Sequence, residues 1–290
     1  MRHILGIDHA VVGVRDLEHA RSGYERLGFR LTPRGHHVGM GTADHCVMFP
    51  EDHVELLGLV DPAKPTHDLD RFLEQREGMM ALALHSIDAD ATRSAWQEVG
   101  LASDLCDLGL MLEPETELRF KKVTLPLEAT GGVPLFACAH LTPEPMRQPE
   151  WLEHPNGSVG IASITVAVDE PGALVEPMAQ VFGSTNLTET DDTLAVHTGH
   201  GVVLFATPDD LDMLHPHLET LALDSHPTLA TLSLEVRDLE RTAAWLEEHD
   251  VPYSRDRRGA IGIAPELTHG VMLEFVAASS STWGYLPVEQ

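Results

Sequence analysis

Aligned against itself, the chain answers four times, and an internal repeat restricts the fold more than any single motif does. The first copy reads Gly6-Ile-Asp-His-Ala-Val-Val-Gly-Val-Arg-Asp16, continues through an amphipathic stretch with Leu17, Ala20, Tyr24 and Leu27, and stops at Gly28-Phe29. This is a strand, a helix and a glycine helix stop. The second runs from Met79 through Leu82, Leu84 and Ile87 to Asp88, then a helix with Ala91, Ala95 and Val99 that ends at Gly100-Leu101. Asp16 to Gly28 and Asp88 to Gly100 have the same spacing. The third copy, Gly160 to Asp169, is followed by Leu174, Met178, Val181 and Phe182-Gly183. The fourth, Leu229 to Asp238, repeats the Val-Arg-Asp-Leu-Glu of the first, and its helix ends near His249-Asp250.

Each copy closes on an extended apolar run, at residues 52–59, 132–138, 201–205 and 270–276. Shorter β-like pieces, such as Cys46 to Phe49 and Leu118 to Leu125, lie between helix and last strand, so the unit reads βαβββ. Pro- and His-bearing connections at 61–78, 140–158 and 207–228 separate the copies, and the middle one marks a boundary between halves. The expected organisation is an N-terminal domain over 1–140 (modules 1–62 and 79–140), a linker over 141–158, and a C-terminal domain over 159–290 (modules 159–207 and 228–278).

Hydrophobic content of 43% and charged content of 22% fit a globular protein, and no apolar run is long enough for a membrane helix. A net charge of -27 argues against nucleic acid, which needs clustered Lys and Arg. A small molecule is the expected partner. The three widely spaced cysteines, Cys46, Cys106 and Cys138, do not form a disulfide framework. With no secretory leader in the opening residues, a cytoplasmic location is expected. A homodimer is the base-rate expectation.

The Asp-His of the first strand, the Val-Arg-Asp-Leu helix entry, the Leu-Gly-Phe exit and the Val-Glu-Leu-Leu last strand resemble the opening module of the vicinal oxygen chelate superfamily. That superfamily comprises glyoxalases, bleomycin resistance proteins and extradiol dioxygenases. Within it, Gly35 to His45 followed by Val47-Met-Phe, Phe136-Ala-Cys-Ala-His140 and Trp151-Leu-Glu-His-Pro-Asn-Gly157 are similar to the bacterial glyoxalase-like domain family. The resemblance implies an α+β fold in which four βαβββ modules pair into two half-open barrels, or funnels. It also implies a divalent metal (Zn, Fe, Mn or Ni) between first and last strands, with open positions for neighbouring substrate oxygens.

Carried over residue by residue, His9 and Glu55 fall on ligand positions, and His45 is a candidate third ligand. The partner module departs from the pattern: Ala81 aligns with His9 and Pro134 with Glu55. In the second half the corresponding residues are Ser163, Leu204, Thr231 and Glu274, of which only Glu274 can bind a metal, so one functional funnel is expected. Strand alternation puts His85 on the Ala81 face and His140 on the Pro134 face, as candidate acid–base groups. Counted along their own strands, they stand roughly 13 to 20 Å from the usual metal position. Arg119 and Lys121 share a face and, with Phe136, are candidate substrate contacts. His36 and His37 are expected in a loop, and His154 in a turn shaping the link between halves.

These residues support a metal-dependent enzyme acting on a small oxygenated metabolite. A lyase or isomerase is preferred to an extradiol-type dioxygenase, because dioxygenase members carry a two-histidine, one-glutamate triad in the second half. The alternative is a non-catalytic small-molecule binding or resistance protein. No Gly-rich phosphate loop or nucleophile elbow occurs.

Overall fold

The computed structural model describes residues 3–190, 193–218 and 227–278. Residues 279–290 of the expected C-terminal domain, and 219–226 of the last connection, lie outside them. The four copies are all present as βαβββ units. The first is β1 (Ile4–Val14), α1 (Leu17–Arg26), β2 (Gly35–His37), β3 (Thr42–Met48) and β4 (His53–Leu59), followed by α2 (Leu69–Gln75). The second is β5 (Gly78–Ser86), α3 (Ala89–Glu98), β6 (Asp104–Leu112), β7 (Thr116–Thr124) and β8 (Leu135–His140), followed by α4 (Pro149–Leu152). The third is β9 (Ser158–Ala167), α5 (Val175–Phe182), β10 (Leu187–Thr190), β11 (Thr193–His197) and β12 (Val202–Ala206), followed by α6 (Pro208–Leu214). The fourth is β13 (Thr228–Val236), α7 (Leu239–Glu248), β14 (Ser254–Arg255), β15 (Ile261–Ile263) and β16 (Met272–Ala277).

The shared sequence signature has a local cause. Asp16, Asp88 and Asp238 each cap a helix by accepting a backbone N–H, from His19, Ala91 and Glu240 respectively. Each helix then ends on a left-handed residue: Gly28, Gly100, Gly183 and, in the fourth copy, Asp250. An aspartate tolerates that conformation better than most side chains. The third copy matches least because its helix is entered through a 3₁₀ turn at Pro171–Leu174 rather than an aspartate cap.

The first two copies form a closed barrel in the order β1-β4-β3-β2-β6-β7-β8-β5. Its seam is the pairing of Gly35, His36 and His37 on β2 with Leu112, Met111 and Leu110 on β6. The last two copies form an open sheet, β10-β11-β12-β9-β13-β16-β15-β14. There the two-residue β14 and β10 stand at opposite edges and do not pair. The expected half-open funnel thus describes the second half, while the first half is sealed.

Alternation divides each strand between two environments. The outward residues of the barrel, such as Val12, Val54 and Leu56, join one continuous core with Ile263, Leu273 and Phe275 of the open sheet. Tyr24 of α1 and Trp96 of α3 belong to that core, and Trp96 donates to the Val181 carbonyl of α5 at 3.2 Å. The inward residues face the barrel lumen. One end is packed by Leu69, Phe72 and Leu73 of α2 against Val11 and Leu57. At the other, Met146, Trp151 and Leu152 of the expected linker pack against Met48, Leu110 and Leu118. His154 pins that linker, accepting the Arg30 N–H at Nδ1 (3.0 Å) and donating to the Met48 carbonyl from Nε2 (2.9 Å). Burial lowers its pKa to about 4, which keeps it neutral in this role. No helix among the described residues is long and apolar enough to cross a membrane.

Candidate functional site

The barrel encloses a cavity of about 570 Å³, within the range of small-molecule sites. His9, Glu55, Phe136 and His140 all line it. Its polar wall is built on β1, where the pairing with β5 slips by one residue between Ile7 and His9. Asp8 is the extra residue of this β-bulge, and a bulge re-aims a side chain that alternation would send to the other face. The Asp8 carboxylate therefore reaches inward, where Oδ2 accepts from His9 Nδ1 at 2.6 Å and Oδ1 accepts from His140 Nε2 at 2.9 Å. Burial pushes the Asp8 pKa up, but His140 and His9 outweigh it and hold the carboxyl well below its ordinary value. An ionised carboxylate only accepts, so His9 carries its proton on Nδ1. Its Nε2 then faces Glu55 Oε2 at 3.5 Å.

Glu55 projects inward from β4 beside Asp44 of β3 and His37 of β2. His37 Nε2 stands 3.7 Å from Glu55 Oε1 and 3.8 Å from Asp44 Oδ2, and each of the three residues brings a ligand-type atom within 4.8 Å of the others. Gly35 makes room for this cluster, because a Cβ there would meet Asp44 Oδ1 at 2.3 Å. That Oδ1 is buried without a hydrogen-bond partner. Burial raises the Glu55 pKa well above its ordinary value and the neighbouring Asp44 charge raises it further, with Lys122 acting in the opposite sense. Two buried carboxyls this close need a shared proton or a cation.

His53 stacks on His9 with ring centroids 4.4 Å apart, and its Nδ1 is buried without a partner. Burial, reinforced by the adjacent His9, pushes its pKa well below the ordinary imidazole value. Asp8, His9 and His53 form a second compact group of metal-type ligands, and Asp8, Cys138 and His140 a third. In both, Asp8 is already engaged by two imidazoles.

The structure corrects several positions read from the sequence. His45 points out of the barrel: Nδ1 donates to the Thr32 carbonyl at 2.9 Å and Nε2 faces Glu18 of α1 at 3.2 Å, so the β3 residues turned inward are Asp44 and Cys46. Arg119 and Lys121 also lie outside, with Lys121 bonded to Asp90 at 2.5 Å. It is Lys122, one residue on, that enters the cavity, because Leu118 and Phe120 fix the phase of β7. His37 belongs to a strand and to the cavity wall, whereas His36 faces Glu113 at 3.2 Å. His85 is outside the cavity lining, with its ring 6.1 Å from that of His140. The long distance counted for His140 fails because its strand, β8, runs parallel to β5, and β5 runs antiparallel to β1. Val11, not His9, pairs with Ala81, and stepping along β5 moves back toward the start of β1. His53 was legible as the residue two before Glu55 on the same face. Asp8 was not, since nothing in the local sequence marks the bulge.

In the second half, Glu274 of β16 pairs with Ser233 as Glu55 pairs with Val11. Its carboxylate accepts from Ser233 Oγ and lies 3.1 Å from His215 Nδ1 and 3.2 Å from His217 Nε2, both on the turn after α6. His215 Nε2 is held by Thr165 at 2.9 Å. Although burial opposes it, these partners lower the Glu274 pKa to about 2.

Four βαβββ modules joined through antiparallel first strands define a protein of the vicinal oxygen chelate class. The profile of the glyoxalase-like domain family matches residues 7–182, and the chain belongs to that family. Among solved structures, a hypothetical protein from Staphylococcus aureus is similar at a TM-score of 0.65 and 12% identity, over 93% of this chain and 98% of that one. A triple variant of 4-hydroxymandelate synthase from Streptomyces coelicolor aligns at a TM-score of 0.53 and 13% identity, over 94% and 92%. A fusion of a xylose isomerase-like TIM barrel with 4-hydroxyphenylpyruvate dioxygenase aligns at 0.55 and 14%, over 94% of this chain and 48% of that one. At these identities the likeness is one of fold. No curated protein matches the sequence.

Proposed function

We propose that the N-terminal barrel is the active site of a metal-dependent enzyme of lyase or isomerase type, acting on a small oxygenated molecule. One observation carries this reading: Asp44 and Glu55 are buried together with one carboxylate oxygen unpartnered, beside imidazole nitrogens of His37 and His9. Mixed imidazole and carboxylate donors suit a first-row divalent ion, and Asp8 behind His9 is the orienting partner that such ligands use. When bound, such an ion polarises a substrate oxygen as a Lewis acid. His37, Asp44 and Glu55 would hold it, with His9 Nε2 3.5 Å from Glu55 as a further donor at the edge, a set displaced toward β2 and β3 from the one expected with His45.

His53 supplies the proton-transfer group. It is held neutral by burial, lines the cavity, and its Nδ1 carries no hydrogen bond. His140, engaged by Asp8, keeps that carboxylate charged and His9 in its Nδ1–H form. Apolar packing at the two ends of the barrel narrows solvent access to the proton being moved.

Protein purified without chelators is expected to contain one equivalent of a divalent first-row metal, and Glu55→Gln to contain none. A wild-type chain that neither retains nor takes up such a metal overturns the enzyme reading in favour of a non-catalytic binding protein.

A further inference from the structure

Lys122 projects from β7 into the cavity, with its ammonium 4.0 Å over the Phe136 ring. Among the described residues it has no ion pair and no hydrogen bond, which is unusual for an ammonium removed from bulk water. The other basic group on the lining, Arg71, is exposed at the mouth, 3.5 Å from Asp68. The remaining walls are largely apolar, with Leu57, Phe72, Leu108, Leu135 and Phe136 among them. The acidic neighbour whose field Lys122 feels is Glu55, yet the two do not pair.

We infer that Lys122 is the anchor for a carboxylate of the substrate, and that the substrate is a monocarboxylic acid with a compact apolar body. The carboxylate satisfies the ammonium by a charge-assisted hydrogen bond, while the body lies against Phe136 and the leucines. The aromatic face beneath Lys122 fixes the direction from which the anion approaches, since the cation is already covered on its ring side. This assignment rests on the N-terminal barrel being the functional site, but not on the identity or presence of the metal.

The test is calorimetric titration of phenylacetate, cyclohexanecarboxylate and their uncharged amides into wild-type protein, Lys122→Met and Lys122→Gln, each metal-free and loaded with Zn²⁺. Met and Gln keep most of the length of the side chain without its charge, and circular dichroism melts verify folding. Wild type is expected to prefer acid over amide by about tenfold or more, the strength of a charge-assisted bond, and both variants to lose that preference. Equal affinity for acid and amide in wild type, a preference surviving in folded variants, or no binding of any acid overturns the assignment. An acid preference in protein that takes up no metal leaves Lys122 standing while the metal reading falls. One equivalent of metal lost in Glu55→Gln, with no acid preference, does the reverse.

Discussion

Glu55 and Glu274 occupy the same place in two halves of one architecture, inward on the last strand and beside the first strand of the same module. Their surroundings have opposite effects. Glu274 is met by Ser233, His215 and His217, and its pKa falls to about 2. Glu55 is met by a second carboxyl, and burial and Asp44 drive its pKa up. The folded chain itself satisfies one carboxylate and leaves the other to a shared proton or a cation. A buried acid supported by its neighbours is a structural element, whereas one opposed by them is kept at a cost in stability and marks a site.

The strongest way to break this contrast is metal content. Glu55→Gln is expected to abolish stoichiometric metal, and Glu274→Gln to leave one equivalent in place, both read by elemental analysis after equal exposure to Zn²⁺. Retention by the first variant or loss by the second removes the distinction.

Stability should separate the two in opposite directions. Glu274→Gln leaves two imidazoles without their carboxylate and is expected to cost about 2 to 3 kcal/mol in chemical denaturation at pH 7. In metal-free protein, Glu55→Gln removes a buried carboxyl whose ionisation burial and Asp44 oppose, and is expected to stabilise by about 1 kcal/mol at pH 7.

Acid sharpens the same comparison. Because the folded Glu274 pKa lies below the ordinary 4.5, its contribution is fully present above pH 4.5 and is lost as pH falls toward about 2. The amount is on the order of 3 kcal/mol. Denaturation midpoints of wild type should decline through that window more steeply than those of Glu274→Gln. Glu55 acts with the opposite sign: its raised pKa makes ionisation unfavourable, so metal-free wild type should lose stability relative to Glu55→Gln as pH rises above 4.5.

The smallest effect lies behind the ligands. Asp8→Asn no longer requires His9 to carry its proton on Nδ1, and metal affinity should drop about tenfold without a loss of stoichiometry at saturating metal. An unchanged affinity would show that Asp8 serves packing alone.

The architecture was legible because three of the four copies repeat the aspartate cap and all four repeat the stop. Asp16, Asp88 and Asp238 start helices, and a left-handed residue ends all four, so local chemistry and periodicity agree. The site was legible only where alternation runs undisturbed. It placed His9, Glu55 and Phe136 on the cavity. On β7, Arg119 and Lys121 were chosen over Lys122 for their shared face, although the run Leu118, Phe120, Lys122 carries the inward phase. On β3, His45 drew attention as an imidazole, while the inward residue beside it was Asp44. Asp8 could not be found by counting, because the pairing slip that turns it inward depends on how β5 sits against β1. His215 and His217 lie on a connection with no strand period to orient them.

The single core running from Val12 and Leu56 through Tyr24 and Trp96 to Phe275 makes the second half indispensable whatever its chemistry. Cutting the chain at the 141–158 connection would separate two topological units yet expose the outer wall of the barrel that the shared core covers. A duplicated half that shares its interior in this way is free to lose its ligands but not its bulk. The C-terminal half thereby acts as the back plate of a candidate site to which, among the described residues, it contributes no cavity-lining side chain.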